Sequence, residues 1–185
     1  MPDKMTLTER TVQRMFWHFH AGSCEFCCPN FTPVGWYECD IFAITKAGLF
    51  HELEIKLTVA DFKADAKKHD RSPYRWTNGH YTKCDISQSK HERLASHDVE
   101  GPSRFYFVVP EGLIEAKDVP EWAGLRFLEQ TTGGEWYGGL HTVKKAPLLH
   151  KQKVGQPVRD KLTQSLYYRF WNERIRTHHR EKADG

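Results

Sequence analysis

The sequence predicts an α/β protein, and three observations carry that prediction. Two period-two segments are joined by Lys46-Ala47-Gly48; a capping-box spacing, Thr58 with Asp61, directly follows the second; and Arg104-Phe105-Tyr106-Phe107-Val108-Val109, ahead of Pro110, has the aromatic and β-branched composition of a buried strand. Strand, tight exit, helix and buried strand in succession make an α/β step. The chain has 185 residues, 39% hydrophobic and 28% charged, which suits one folded domain over 1–185.

Thr6 and Glu9 repeat the capping-box spacing, and Val12, Met15, Phe16 and Phe19 recur at helical intervals, predicting a helix from about Leu7 to His20. Cys24 to Pro33 carries cysteines, two prolines and an asparagine and reads as a loop, so residues 1–35 form an N-terminal helix and a cysteine-rich loop. In the hairpin that follows, Gly48 supplies the left-handed conformation a three-residue loop needs, which sets Thr45 opposite Leu49. Continued outward, that register places Asp40 opposite Glu54 and Glu38 opposite Lys56 on one face. Cys39, Ile41, Ala43, Leu49, Leu53, Ile55 and Leu57 form the other, apolar face.

The helix opened by Thr58 runs to about His69, with Phe62, Ala66 and His69 on one side. Residues 71–103 are polar and basic and read as an insertion with a short helix near Ser87 to Ser96. Gly124 to Leu128 predicts a strand, Gly133 to Val143 a glycine-rich hairpin, and residues 157–180 a final helix with Leu162, Leu166, Phe170 and Ile175 inward and a basic end.

Composition excludes little else. There is no apolar run of membrane-span length and no charged-then-apolar leader, so a cytoplasmic location without a membrane partner is expected. The formal charge of +3 does not by itself mark a nucleic-acid binder; the distribution of the basic residues decides. Five cysteines, an odd number, argue against a disulfide framework and leave reduced thiols or a metal site.

Asp40, Glu54 and Lys56 are the residues with chemistry to offer. Opposed carboxylates one strand apart suit a hard divalent cation, since Mg2+ takes oxygen ligands and keeps several waters. A neighbouring lysine orients water or offsets charge developing on a phosphoryl oxygen, so the pattern points to metal-assisted phosphodiester hydrolysis. The plainer reading makes Glu38, Glu52, Glu54 and Lys56 the solvated face of a hairpin, with Glu38 and Lys56 as a weak cross-strand pair. Phe42, Ile44 and Phe50 share that face, which favours a cleft over open water.

Asp40, Glu54-Ile55-Lys56 and Asp61-Phe62-Lys63-Ala64-Asp65 together resemble the PD-(D/E)XK nuclease superfamily, most closely its MmcB-like DNA repair nucleases and related phage proteins. Phe105 to Leu113, Pro120 to Leu125 and Lys145-Ala146-Pro147 resemble the strands that follow in that branch, so the likeness spans about Trp36 to Pro147. The resemblance implies a three-layer α/β/α restriction-endonuclease-like core with a central mixed sheet and a metal-dependent deoxyribonuclease acting in DNA repair or phage DNA metabolism. It implies Mg2+ or Mn2+ held by Asp40, Glu54 and the backbone carbonyl of Ile55, with Lys56 positioning or activating water. Many members add a glutamate from the first helix, for which Glu9 is the candidate, equally explained as a capping residue; Glu38 and Glu52 lie outside the minimal motif. Cys39 stands where the superfamily's name has proline, a departure the family tolerates. A homodimer is compatible with the likeness, although no heptad or apolar stripe in the sequence argues for one.

Two further features stay open at this level. Cys24-x-x-Cys27 has zinc-knuckle spacing, and Cys28, Cys84, His18, His20 or His80 are candidates to complete a structural Zn2+ site, but the second half of a zinc signature is missing. Lys67, Lys68, Arg71, Arg75, Trp76 and Lys83 combine basic and aromatic side chains suited to phosphates and unpaired bases, with DNA the expected partner and RNA not excluded. The alternatives to a nuclease are a non-catalytic nucleic-acid-binding module of the same fold and a small zinc-stabilised interaction protein.

Overall fold

The structure is a computed structural model that describes residues 7–65, 74–77, 80–83, 88–129 and 139–183. Helix α1 (Glu9–His20) leads into β1 (Cys24–Phe31), β2 (Cys39–Thr45) and β3 (Phe50–Ile55), an antiparallel meander. Helix α2 (Val59–Asp65) follows, then an antiparallel ribbon of β4 (Tyr74–Thr77) and β5 (His80–Lys83), and α3 (Lys90–Ala95). Strands β6 (Arg104–Pro110) and β7 (Ala123–Leu128) join the sheet parallel to β3, β8 (Leu140–Lys144) closes it antiparallel, and α4 (Gln156–Ala183) ends the chain. The six-stranded mixed sheet has the order β1-β2-β3-β6-β7-β8.

Helices flank the sheet. On one face Ile41, Ala43, Leu53, Ile55, Tyr106 and Val108 pack against Val12, Met15 and Phe16 of α1. On the other, Phe42, Ile44, Phe50, Phe105 and Phe107 meet Leu94 of α3 and Leu162 of α4, with Phe62 of α2 at the margin. A sheet apolar on both faces is what parallel central strands require. Gly48 has φ +80°, and Thr45 donates its N–H to Leu49 O at 2.9 Å, so the hairpin forms in the expected register. The helix after β3 starts as expected, with Asp61 N–H donating to Thr58 Oγ1 at 3.1 Å. Its continuation through Ala66 and His69 lies outside the described residues.

Several expectations are corrected. Cys24 to Pro33 is largely strand: β1 is an edge strand, where Pro29 costs no ladder bond on its open side. The cap of α1 is Thr8, whose Oγ1 accepts from Thr11 N–H at 3.2 Å. The interval 71–103 is not all insertion, because Lys90, Arg93 and Leu94 are buried and complete the core. Of the glycine-rich hairpin, only the strand β8 falls among the described residues. Cys39 leaves the α1 face and joins Phe42 in the opposite cluster. In α4, Leu162 is buried, but Phe170 and Ile175 are exposed together with Tyr167, Tyr168 and Trp171, so the helix outruns the domain and does carry an apolar stripe. Among the described residues no helix is long and apolar enough to cross a membrane.

Candidate active site

The β2–β3 ladder runs from Ile44–Phe50 to Ile41–Leu53 and stops two residues short of the strand ends. Asp40 and Glu54 therefore flank an opened strand end instead of forming a ladder pair. Asp40 Oδ2 accepts the Ile55 N–H at 2.7 Å, a carboxylate standing in for the missing backbone acceptor. This bond ties Asp40 to the residue between Glu54 and Lys56. Glu38, by contrast, is exposed and precedes β2, so the expected Glu38–Lys56 pair does not form.

Lys56 belongs instead to a buried ionic chain. Its Nζ lies 2.8 Å from Glu54 Oε1 and 2.7 Å from Asp65 Oδ1, with Asp61 Oδ1 at 4.0 Å. Lys90 Nζ lies 2.8 Å from Glu54 Oε2 and 2.6 Å from Glu52 Oε1. His91 Nε2 meets Asp65 Oδ2 at 2.8 Å, and Trp36 Nε1–H donates to Glu52 Oε2 at 2.7 Å. Glu52, Glu54, Lys56 and Lys90 are 0%, 2%, 1% and 4% exposed, which excludes a solvated hairpin face.

Secondary structure explains how these groups meet. Glu52 and Glu54 are two apart on β3 and leave the same face. Asp65 arrives from the end of α2, which Thr58 caps directly after β3. Lys90 and His91 come from α3, held in place by the reciprocal Ser89–Glu92 capping box. Arg93, one turn on, donates to Gly35 O and pairs with Asp98 and Glu100 while lying 4.7 Å from the Trp36 ring. Gly101 lets Trp36 sit there, since an added Cβ would come within 2.6 Å of the indole.

The electrostatics follow from burial and pairing. Burial raises the Glu54 carboxyl, but the ammonium groups of Lys90 and Lys56 outweigh it and the net direction is down. Asp65 also ends well below the usual carboxylate range: burial opposes ionisation, but the His91 bond and Lys56 outweigh it. Burial lowers both lysines, yet each is raised on balance, Lys56 by Glu54 and Asp65 and Lys90 by Glu52 and Glu54. Glu52 goes up because burial exceeds what Lys90 returns. The Asp40 carboxyl is pushed up to about 7, by burial first and by the Glu54 charge second; Glu9 adds to it.

Glu9 thus lies within electrostatic reach of Asp40. Gln13 of α1 links the two, donating from Nε2 to Glu9 Oε1 at 2.8 Å and to Asp40 O at 3.0 Å. Glu52 is the second accessory candidate brought to the cluster, as the partner of Lys90 and Trp36.

Among the described residues the expected zinc set is not assembled. Cys28 faces the Phe42 cluster while Cys24 and Cys27 face α1, because successive strand residues point to opposite sides. Burial and the neighbouring thiols push Cys27 up to about 12. Cys84 lies outside the described residues. So do Lys67, Lys68 and Arg71, whereas Arg75, Trp76 and Lys83 are placed only as backbone of the β4–β5 ribbon, Arg75 opposite Thr82 and Trp76 opposite Tyr81.

No family model matches this sequence, and no curated protein does. Among solved structures the chain is similar to SPO1766, a protein of unknown function from Silicibacter pomeroyi, with a TM-score of 0.57 over 92% of this chain and 94% of that one, at 18% identity. That likeness extends over nearly the whole architecture and speaks to fold alone.

The donor set fits a divalent cation in one respect and must rearrange in another. Among the described residues no three His, Cys, Asp or Glu side chains already stand in a metal-holding group. Both Glu54 oxygens carry an ammonium, but each of those lysines holds a second carboxylate, Lys56 on Asp65 and Lys90 on Glu52. Glu54 is therefore able to yield an oxygen without stranding either lysine. The Glu54 charge helps raise the buried Asp40 carboxyl, and a cation between the two would relieve that repulsion.

Proposed function

We propose that this protein is a metal-dependent nuclease of the PD-(D/E)XK type, acting on DNA, with Asp40, Glu54 and Lys56 at its centre. The observation that carries the reading is the bond from Ile55 N–H to Asp40 Oδ2, which joins the aspartate of one strand to the Glu-x-Lys segment of the next at the point where the strands part. The element order is compatible with it: a helix, a three-stranded antiparallel meander and a helix are followed, after a two-stranded ribbon and a short helix, by a strand parallel to the meander's last.

On this reading Asp40, Glu54 and the Ile55 carbonyl hold Mg2+ or Mn2+, which supplies Lewis-acid activation of the phosphodiester and of water. The chain's own groups do the rest. Lys56, kept protonated by Glu54 and Asp65, offers its ammonium to a nonbridging phosphoryl oxygen or to the attacking water. Asp65, fixed by His91, would keep Lys56 in place with a Glu54 oxygen given over to the cation. Lys90 holds Glu54 ionised within the protein interior.

A second reading, a nucleic-acid-binding module without catalysis, draws on the same salt bridges, because Glu54 is engaged at both oxygens by lysines. Incubation of labelled single-stranded, duplex and branched DNA with Mg2+, Mn2+ or EDTA separates the two. The nuclease reading expects cation-dependent cutting that Asp40→Ala abolishes. DNA bound but uncut in every cation selects the module.

A further inference from the structure

Beside the acidic centre, a cavity of about 950 Å³ opens between α1 and the edge strand β1, bounded on its outer side by Leu166 of α4. Its floor is apolar, formed by Met15, Phe26, Cys27 and Ile41. Its α1 wall is basic and aromatic: Arg10, Arg14 and His18 recur every four residues along one helix face, and Trp17 beside them is 62% exposed. Glu25, the acidic residue in the lining, is held by Arg159 through contacts of 2.6 and 3.0 Å, so the arginines of the wall are not neutralised by it. An exposed tryptophan one turn on from Arg14, with Arg10 and Arg14 showing no ion pair among the described residues, at an apolar groove is the combination that receives a phosphate chain with unstacked bases.

The groove touches the candidate site at one residue, Gln13. Gln13 lines it and donates to the Asp40 carbonyl, and Ile41 of its floor is the next residue along β2. Its outer wall is anchored, because Arg169 of α4 donates to the carbonyls of Pro29 and Asn30 on β1. Phe170, one turn beyond Leu166, is exposed and extends that wall with a second aromatic surface.

We propose that this groove is the track for a single-stranded nucleic acid leading to Asp40, with phosphates on Arg10 and Arg14 and a base stacked on Trp17. The proposal rests on the nuclease reading for its direction, toward Asp40, but its binding chemistry stands apart from cleavage. The apolar floor selects the single strand. A base presents its face to such a surface only when it is unpaired, whereas a duplex offers phosphates and groove edges.

The test is binding of a fluorescently labelled 15-mer oligo(dT), and of a duplex of equal length, measured by anisotropy in EDTA so that nothing is cut. Wild type, Arg10→Ala with Arg14→Ala, Trp17→Ala and Asp40→Ala are compared, with circular dichroism and light scattering as controls. The groove predicts that the single strand binds more tightly than the duplex. Trp17→Ala weakens single-strand binding roughly fivefold or more. The double arginine variant lowers the slope of log K against log salt by about 1.4, the loss of two phosphate contacts on a single strand. Unchanged affinity in both groove variants overturns the proposal even where wild type cuts DNA, in which case the nuclease reading survives alone. Equal affinity for duplex overturns the single-strand assignment. A wild-type dimer that Trp17→Ala converts to monomer also overturns it, making this face an interface between copies. Binding lost as predicted, with no cutting in any metal, retains the groove and removes the nuclease reading.

Discussion

Asp40 Oδ2 accepts the backbone N–H of Ile55 at 2.7 Å, and this one bond holds together two segments of chain that the β-ladder no longer joins. It fixes the aspartate against the Glu54-Ile55-Lys56 segment while leaving the strand end open. Asp40→Asn retains an acceptor for Ile55 and removes the charge, so the fold is expected to persist, with thermal stability in EDTA equal to or above wild type. A Tm lowered by more than a few degrees contradicts this description of the bond.

Lys90 is the structural keystone of the charged chain, since it pairs with both Glu52 and Glu54 at 4% exposure. Lys90→Met leaves buried Glu52 without an ammonium and Glu54 with Lys56 alone, and removal of one partner from a buried ion pair costs about 3–5 kcal/mol. Adding Glu52→Gln to Lys90→Met recovers part of that loss, which chemical denaturation of the two variants checks as a non-additive pair. Simple additivity means that the two side chains do not interact as described.

Lys56→Gln keeps a hydrogen-bonding end group, one atom shorter, but not the ammonium. Cutting is expected to fall about 100-fold or more, in line with removing one electrostatic stabiliser of the transition state. Single-turnover rates at saturating DNA isolate the effect from binding.

His51 gives the pH dependence. Burial, with Arg104 and Arg126 nearby, lowers its folded-state pKa from 6.5 to about 4. Between those values the unfolded chain binds a proton that the folded chain does not, so the His51 contribution to stability is full above pH 6.5 and declines as the pH falls toward 4, while Asp40, raised to about 7, works in the opposite direction. His51→Gln removes that part of the slope, worth about 1–2 kcal/mol after allowance for partial exposure of the ring. Urea midpoints at pH 7 and pH 4.5 measure it, and an equal drop in both proteins contradicts it.

Cys28 points to the face of β1 opposite Cys24 and Cys27, so the three thiols do not converge on one metal. Purified protein is expected to contain well under one zinc per chain by elemental analysis. Stoichiometric zinc, lost in Cys27→Ser, overturns the orientation of β1.

The readable parts of this fold were its local ones. The hairpin register followed from Gly48, the second helix from Thr58 and Asp61, and β6 from its unbroken apolar run. Asp40, Glu54 and Lys56 were visible because a two-residue period and one turn fix which face a strand residue takes. Lys90 and His91 were not, since they reach the cluster from a distant part of the chain; Lys90 bonds a residue 36 positions earlier, and Asp65, read only as part of the helix after β3, meets Lys56 through that helix's last residue. The Ser89–Glu92 spacing did mark a short helix, but a lysine in a basic stretch reads as surface, and only an acidic pair on the sheet draws it inward. Pro29 hid β1 for a related reason: an edge strand tolerates a proline that a central one rejects.

The measurement that tests the central claim most directly is Mn2+ binding followed by electron paramagnetic resonance in wild type, Asp40→Ala and Glu38→Ala. The account predicts one Mn2+ per chain in wild type and Glu38→Ala and none at the same concentration in Asp40→Ala. Absence of bound Mn2+ in wild type, or equal binding in Asp40→Ala, would contradict a cation centre built on Asp40 and Glu54.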